Sequence, residues 1–249
     1  MSRKGLGLFV VLPLLMLTAY VAARALLSDG WQKFIYAENG PIELGTAACF
    51  ALAGGVALAL ARKTRGHVPV MFRGIFGLFA LACWFVALEE ISYGQQLFGW
   101  NSPRWFEANN HHGQTNLHNL MGNRPSHLLK HFANYGTLVG FIIVPVIAMF
   151  RRGAYRPGHW THFLLPRAEL IVPAAAAQLC SLLWDLPKTV LGEYWHQGWN
   201  EVRELFWGMA ALFYVTVMWQ RLISSRQAEA ATEESTSPAK SAVVSERAA

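Results

Sequence analysis

The sequence predicts an all-α, multi-pass membrane protein: a bundle of about six transmembrane helices with both termini in the cytoplasm. Of its 249 residues, 53% are hydrophobic and only 14% are charged, against about 25% charged in ordinary globular proteins. Several apolar runs reach roughly 20 residues, the length that an α-helix needs to cross a bilayer. These observations assign residues 1–223 to a membrane domain.

The predicted spans, in chain order, are 5–27, 41–61, 74–93, 132–150, 170–186 and 205–223. The first is longer than the 7–15 apolar residues of a signal peptide, so we expect a retained helix. Pro41 suits the first turn of the second span, and Glu43 lies near the positive end of its helix dipole. Pro173 and Pro187 bracket the fifth span.

Lysine and arginine set the orientation. With the amino terminus inside, fourteen of the 21 basic residues face the cytoplasm, as the positive-inside rule requires. The net charge of +6 therefore indicates topology and contact with anionic lipid, with no role in binding nucleic acid. Residues 224–249 are rich in Ala, Ser and Glu and lack apolar periodicity, which predicts a disordered cytoplasmic tail.

Two polar stretches predict a site at the outer face. Glu89 and Glu90 lie at the end of an apolar run, where carboxylates are costly, and a helical period aligns Glu89 with Ser92, Tyr93 and Gln96. The second stretch, 109–119, contains three histidines and four asparagines. We predict catalytic roles for Glu89, Glu90 and Ser92, and a shared pocket with Glu43, Asn116, Asn119 and Glu204. The alternative to a functional site is that both carboxylates reach the lipid head groups and are simply solvated there.

Histidines concentrate near the same face. His118 lies between asparagines that would fix its tautomer, and His131 follows His127 at the i, i+4 spacing that grips one divalent metal. We predict a metal site, with zinc as the expected ion, whose ligands come from His118, His112, His131 and His196. Ordinary hydration of interfacial histidines is the alternative.

The paired acids and the histidine stretch carry a resemblance to a family of uncharacterised bacterial multi-pass membrane proteins. The family pattern is Glu-Glu-Ile-Ser-Trp-Gly-Gln, then Gln-Gly-Glu-Thr-Asn-Leu-His-Asn; here Tyr93, His112 and Gln114 replace the Trp, first Gln and Glu. The resemblance implies an inner-membrane protein. It does not indicate an activity, because the family is uncharacterised. A weaker likeness, to the alkaline ceramidase and progestin-receptor-like membrane hydrolases, implies zinc chemistry, although their carboxy-terminal His-x3-His pair is missing.

Three functions fit these patterns. The first is a metal-dependent hydrolase or transferase acting on a lipid or lipid-linked substrate, with Glu89 or Glu90 as general base. The second is a cation- or proton-coupled transporter, since intramembrane acids bind ions. The third is a non-enzymatic scaffold whose outer loop, with Trp100, Trp105 and Phe106, docks an envelope protein partner. The sequence lacks a dinucleotide glycine motif, a phosphate loop and a nucleophile elbow, which disfavours nucleotide chemistry.

Overall fold

The chain is an all-α bundle. The computed structural model describes residues 3–36, 40–64, 69–110, 113–117, 119–120, 124–151, 161–191 and 198–236. Within these ranges extended pairing is limited to one isolated bridge, between Asn110 and Leu120. Five helical segments in the described part of the chain are long and apolar enough to cross a membrane: Gly7–Leu26, Pro41–Lys63, Val70–Glu90, Lys130–Phe150 and Ala168–Asp185. The prediction of a multi-pass helical membrane protein is confirmed.

Long helices form the bundle, and shorter helices lie between them along the chain. The long helices are α1 (Arg3–Leu26), α3 (Pro41–Lys63), α4 (Val70–Glu90), α7 (Arg124–Leu138), α10 (Ile171–Asp185) and α12 (Trp199–Thr236). The short helices are α2 (Asp29–Tyr36), α5 (Gln95–Phe98), α6 (Arg104–Asn109), α8 (Val144–Phe150), α9 (Thr161–Leu164) and α11 (Lys188–Leu191). A π-helical segment, Val139–Ile143, joins α7 to α8, so the two form one span.

Helix α12 lies at the centre of the bundle. It packs against α1, α3 and α10, and most of its residues between Trp199 and Leu222 are buried. The sixth predicted span, 205–223, lies within α12, although α12 is not among the five segments apolar enough to cross a membrane. Because its neighbours are protein helices, this segment can carry the buried Arg203 and Glu204, which lipid would not solvate.

Contacts between α1 and α12 define the two ends of the bundle. The ring of Phe9 lies 4.6 Å from that of Phe213, and the ring of Tyr20 lies 4.7 Å from that of Trp199. The two helices are therefore antiparallel, so that the start of α1 and the end of α12 share one end of the bundle. The other end contains the last turn of α4, with Glu90, and the first turns of α3 and α12. Which end faces the cytoplasm stays a prediction.

Two boundaries differ from the predicted ones. The described part of the predicted disordered tail, 224–236, is helical, because α12 continues to Thr236; residues 237–249 lie outside the described residues, so disorder there stays a prediction. Ala, Gln, Glu and Arg are strong helix formers, and extending an existing helix avoids the cost of nucleation. The third span ends at Glu90 rather than at Tyr93, because the chain there leaves the helical conformation.

Small residues allow α3 to approach its neighbours. A Cβ atom on Gly54 would lie 2.6 Å from the indole of Trp84 on α4, whose Nε1 donates a hydrogen bond to the carbonyl of Ala51 at 3.2 Å. A Cβ on Gly208 of α12 would lie 3.0 Å from that of Cys49. Close backbone contact at small residues is the usual basis of helix association in membranes.

We expect Gly54→Ala to lower the thermal midpoint of the purified protein in detergent, with a loss of about 1–3 kcal/mol from overpacking against Trp84. Gly55→Ala is the matched control, since a Cβ there meets nothing within 4 Å and alanine favours a helix. Equal midpoints for the two variants would contradict the packing described for α3 and α4.

Candidate functional site

A left-handed turn ends α4 and directs the outer loop back over the bundle. Ser92, Tyr93 and Gly94 have φ values of 46°, 54° and 80°. Gly94 adopts this conformation easily, whereas the other two residues each cost about 1–3 kcal/mol. The predicted helical stripe from Glu89 to Gln96 therefore does not form: Ser92 points into the loop and Glu89 remains on the helix.

Buried amides hold the loop in place. Asn116, which is fully buried, donates hydrogen bonds to the Ser92 hydroxyl at 2.9 Å and to Gln114 Oε1 at 3.1 Å. Its own Oδ1 accepts from Asn110 Nδ2 at 2.8 Å. The Ser92 hydroxyl donates to Gln114 Oε1 at 2.6 Å, so both hydrogen-bonding functions of this serine are used within the network.

A second cluster extends this network toward α5. Gln95 Oε1 accepts hydrogen bonds from the Thr115 backbone N–H at 2.9 Å and from the Ser102 hydroxyl at 3.0 Å. The hydroxyls of Ser102 and Thr115 lie 3.0 Å apart. Since buried polar groups are costly unless they are paired, these bonds specify one conformation of the loop.

Glu89 joins the loop to the transmembrane domain. Its Oε2 accepts a hydrogen bond from the Leu117 backbone N–H at 2.6 Å, and its carboxylate interacts electrostatically with the Tyr93 hydroxyl. Burial, together with this interaction with Glu89, raises the pKa of Tyr93 above its usual value. The Tyr93 phenol therefore stays protonated and able to donate throughout the physiological pH range.

A cavity of about 470 Å³ lies between α3, α4, α7 and α12, within the size range of ligand pockets. Phe50, Phe79, Phe85, Phe141 and small residues form most of its wall. Phe132, which is 79% exposed, and the exposed Gly136 also line it. Because these exposed residues belong to α7, and Phe85 on α4 is partly exposed too, the cavity reaches the lipid-facing surface between these helices.

Charged residues form one end of this cavity: Glu89, Glu90, Lys130 and Glu204. Glu204 Oε1 lies 3.4 Å from Lys130 Nζ and accepts a hydrogen bond from Asn200 Nδ2 at 3.0 Å. Glu90 is 7% exposed, and its carboxylate has no hydrogen-bond or salt-bridge partner within the described ranges. It does lie within the electrostatic range of Glu204, Glu201, Glu43 and Lys130.

Arg203, next to Glu204, lies beside the polar end of the cavity, with its Nη2 3.9 Å from Glu204 Oε1. Its guanidinium donates to Asn200 Oδ1 and to the Ser181 hydroxyl, and it lies 4.7 Å from the centre of the Trp207 ring in a cation–π contact. Trp207 itself lines the cavity. Its buried indole N–H donates to no acceptor in the part of the chain that the structure describes.

The structure brings some of the predicted site residues together and separates others. Glu89, Glu90 and Glu204 line one cavity, and Glu43 is buried near Glu90. Ser92 and Asn116 belong to the loop network and do not line the cavity, and Asn119 lies beside the bridge that Leu120 forms with Asn110.

Of the four predicted metal ligands, His131 lies within the described residues. His131 is exposed and stacks on Tyr135 with ring centres 6.1 Å apart. His112, His118 and His196 lie outside the described residues. Within the described ranges, no group of three His, Cys, Asp or Glu side chains could hold a metal ion.

Sequence reasoning missed Lys130, Trp207 and Gly136. Lys130 lies inside the His127–His131 pattern. Its positive charge, at the face where the predicted acids collect, could have identified it as their partner. Trp207 lies one helical turn from Glu204, a position that an i, i+3 search would have found. Nothing in the sequence marks Gly136 as part of a cavity wall.

No protein-family profile, curated protein or solved structure matches this chain. The resemblance to the uncharacterised bacterial family therefore stays a prediction, and the function has to be argued from the geometry.

We expect Asn110→Ala to loosen the outer loop, because it removes the side chain that bonds Asn116 and leaves buried groups unpaired at a cost of about 1–3 kcal/mol. Limited proteolysis between residues 99 and 123 should become faster. Asn109→Ala is the control, since the Asn109 side chain bonds the Trp105 carbonyl at the solvent-exposed surface. Equal cleavage rates for both variants would show that the network does not order the loop.

Proposed function

We propose that this protein is a bacterial inner-membrane hydrolase or transferase that takes a lipid or lipid-linked molecule into the cavity between α4 and α7. One observation carries the proposal: Glu90 is buried at the polar end of an apolar cavity and lacks a hydrogen-bonding partner within the described ranges. A buried carboxylate in that position is costly unless a ligand or a proton satisfies it. An amphipathic molecule entering from the membrane would place its head group there.

The two adjacent acids have different roles in this proposal. Glu89 accepts a hydrogen bond from the Leu117 amide and lies near the Tyr93 hydroxyl, so it serves to position the loop. Glu90 lines the same cavity without such bonds, and this favours Glu90 as the proton acceptor. Ser92 is a positioning residue, because its hydroxyl is committed to Gln114 and Asn116.

The residues at the polar end can complete a proton transfer. Glu90 would accept the proton of a water molecule, or of an acceptor hydroxyl, as that oxygen attacks the substrate. The leaving oxygen would take a proton from Lys130, which Glu204 orients at 3.4 Å. Lys130 would also stabilise negative charge that develops on the substrate.

This proposal does not depend on the predicted zinc site. His118, His112 and His196 lie outside the described residues, so a metal bound by them stays a sequence-based prediction. If present near Glu90, a zinc ion would supply a water molecule of lowered pKa. The cavity, its opening and the position of Glu90 support lipid binding in either case.

The distribution of polar groups gives less support to ion transport. Below the polar end, most of the described interior is apolar, with side chains such as Phe76, Ala80, Phe206 and Ala210. Arg221, at the opposite end, donates to the carbonyls of His162 and Leu165. A relay of polar groups through the bundle, as pumps and transporters use, is not present among the described residues.

We expect the protein, reconstituted in nanodiscs with a bacterial lipid extract, to convert at least one lipid over time, as followed by mass spectrometry of the lipids. Glu90→Gln should retain bound lipid and lose turnover by 10²-fold or more, because general-base catalysis contributes about that much. Gly136→Leu should lose both lipid binding and turnover, because the leucine side chain would extend into the cavity.

Gly74→Leu is the matched control for Gly136→Leu: a Cβ meets nothing within 4 Å at either glycine, and Gly74 does not line the cavity. Full turnover by Glu90→Gln would refute the assignment of Glu90 as the base. Normal lipid binding by Gly136→Leu would refute the cavity as the site.

A further inference from the structure

We infer that the cavity selects a lipid whose head group carries a primary ammonium, in preference to an uncharged hydroxyl or a phosphate. This inference rests on the proposed function and specifies its substrate class. It depends on two observations at the polar end of the cavity. Carboxylates outnumber cations among the described residues there, and one of these carboxylates, Glu90, borders the cavity without a hydrogen-bonding partner in the described ranges.

The charge at the polar end is negative on balance. Among the described residues that line the cavity, three are acidic and one is basic: Glu89, Glu90, Glu204 and Lys130. Two more acids, Glu43 and Glu201, lie within the electrostatic range of Glu90. Arg203 adds one cation beside Glu204. The excess of negative charge therefore persists when the described neighbours of the cavity are included.

Both described cations at this end are paired with the same carboxylate. Lys130 Nζ lies 3.4 Å from Glu204 Oε1, and Arg203 Nη2 lies 3.9 Å from that same oxygen. Glu89 in turn accepts a hydrogen bond from the Leu117 backbone N–H at 2.6 Å. Glu90 is therefore the carboxylate with which a bound head group would pair.

Glu90 can be reached from the cavity. It lines the cavity and retains 7% of its surface. Protein atoms enclose Glu89 Oε1 and the Trp207 indole nitrogen, whereas the Glu90 carboxylate oxygens are not enclosed in this way. A head group whose chain lies along the apolar wall can therefore contact Glu90 directly.

A primary ammonium matches this carboxylate in charge and in hydrogen bonding. It has N–H donors and no acceptor, and an ionised carboxylate only accepts. Hydrogen bonds between charged partners are also stronger than those between neutral ones. A hydroxyl group could donate one bond to Glu90, but it would leave the excess negative charge uncompensated. A phosphate would add to that charge, and the described cations that could bind it are already paired with Glu204.

The same carboxylate can bind the head group and act as the base. Both oxygens of an ionised carboxyl group accept hydrogen bonds, so one can bind the ammonium while the other takes the proton of the attacking water. Glutamine at this position would keep one acceptor oxygen without the charge. We therefore expect Glu90→Gln to retain lipid at the concentration of the bilayer and to lose the preference for an amine.

A divalent metal ion is the other class of ligand that suits buried carboxylates. Within the described ranges, however, no group of three His, Cys, Asp or Glu side chains could hold one. An ammonium needs only Glu90, so the described geometry favours the amine over the metal ion.

The test is competitive binding to the full-length protein in phosphatidylcholine nanodiscs, with tritiated hexadecylamine as the probe and empty nanodiscs as the correction for membrane partitioning. Hexadecan-1-ol and hexadecyl phosphate, which carry the same chain, are the competitors. We expect hexadecylamine to bind at least about tenfold more tightly than either, the value of a hydrogen bond to a charged group. Tighter binding of the alcohol or of the phosphate, or equal binding of all three, would overturn the inference. Displacement of hexadecylamine by one equivalent of Zn²⁺ would overturn it too, because the charge would then hold a metal ion.

A matched pair of acid variants tests the pairing with Glu90. Glu90→Gln should weaken hexadecylamine binding about tenfold or more and leave hexadecan-1-ol binding unchanged, because only the charge is removed. Glu107→Gln removes an exposed acid that does not line the cavity and should leave both affinities unchanged. An equal loss for the two variants, or for the two ligands, would refute the role of Glu90 in selecting the amine.

The two levels of the proposal fail in different ways. If no probe binds and Gly136→Leu changes nothing, the lipid-binding function itself fails, and this inference with it. If all probes bind and Gly136→Leu abolishes their binding, the cavity is the lipid site, and a lack of preference among head groups overturns the selectivity alone.

Discussion

Burial of carboxylates at one end of an apolar bundle is the constraint to which the rest of the structure responds. Among the described residues, four are buried there: Glu43, Glu89, Glu90 and Glu204. Each has to be satisfied, since an unpaired charge in such surroundings is costly. Glu89 accepts a hydrogen bond from the loop at Leu117, and Glu204 is paired with Lys130 and Asn200. Glu90 is left facing the cavity.

The strained turn after α4 follows from the same constraint. Placing Ser92 and Tyr93 in the left-handed region reverses the chain immediately, so that Tyr93 stays near Glu89 and the Ser92 hydroxyl bonds Gln114. A helix that continued to Tyr93 would carry these side chains away from the loop. The cost of the turn is offset by a network in which buried amides and hydroxyls are paired.

Hydropathy was enough to predict the long helices, because crossing a bilayer demands length and apolar composition. The central position of α12 was not predictable, since its buried Arg203 and Glu204 need protein neighbours that the sequence does not identify. The turn at Ser92 was missed because helical periodicity continues through these residues. The cavity could not be predicted, because it is a gap between helices distant in sequence, and Gly136 contributes to it by lacking a side chain.

The central claim is that Glu90 is reached from the membrane through the opening between α4 and α7. Carbodiimide labelling tests it most directly, since dicyclohexylcarbodiimide partitions into lipid and water-soluble carbodiimides do not. In nanodiscs, peptide mass spectrometry should find the lipid-soluble reagent on Glu90 and the water-soluble one on the exposed Glu107, and Gly136→Leu should block the first adduct. Modification of Glu90 by the water-soluble reagent alone would contradict the account.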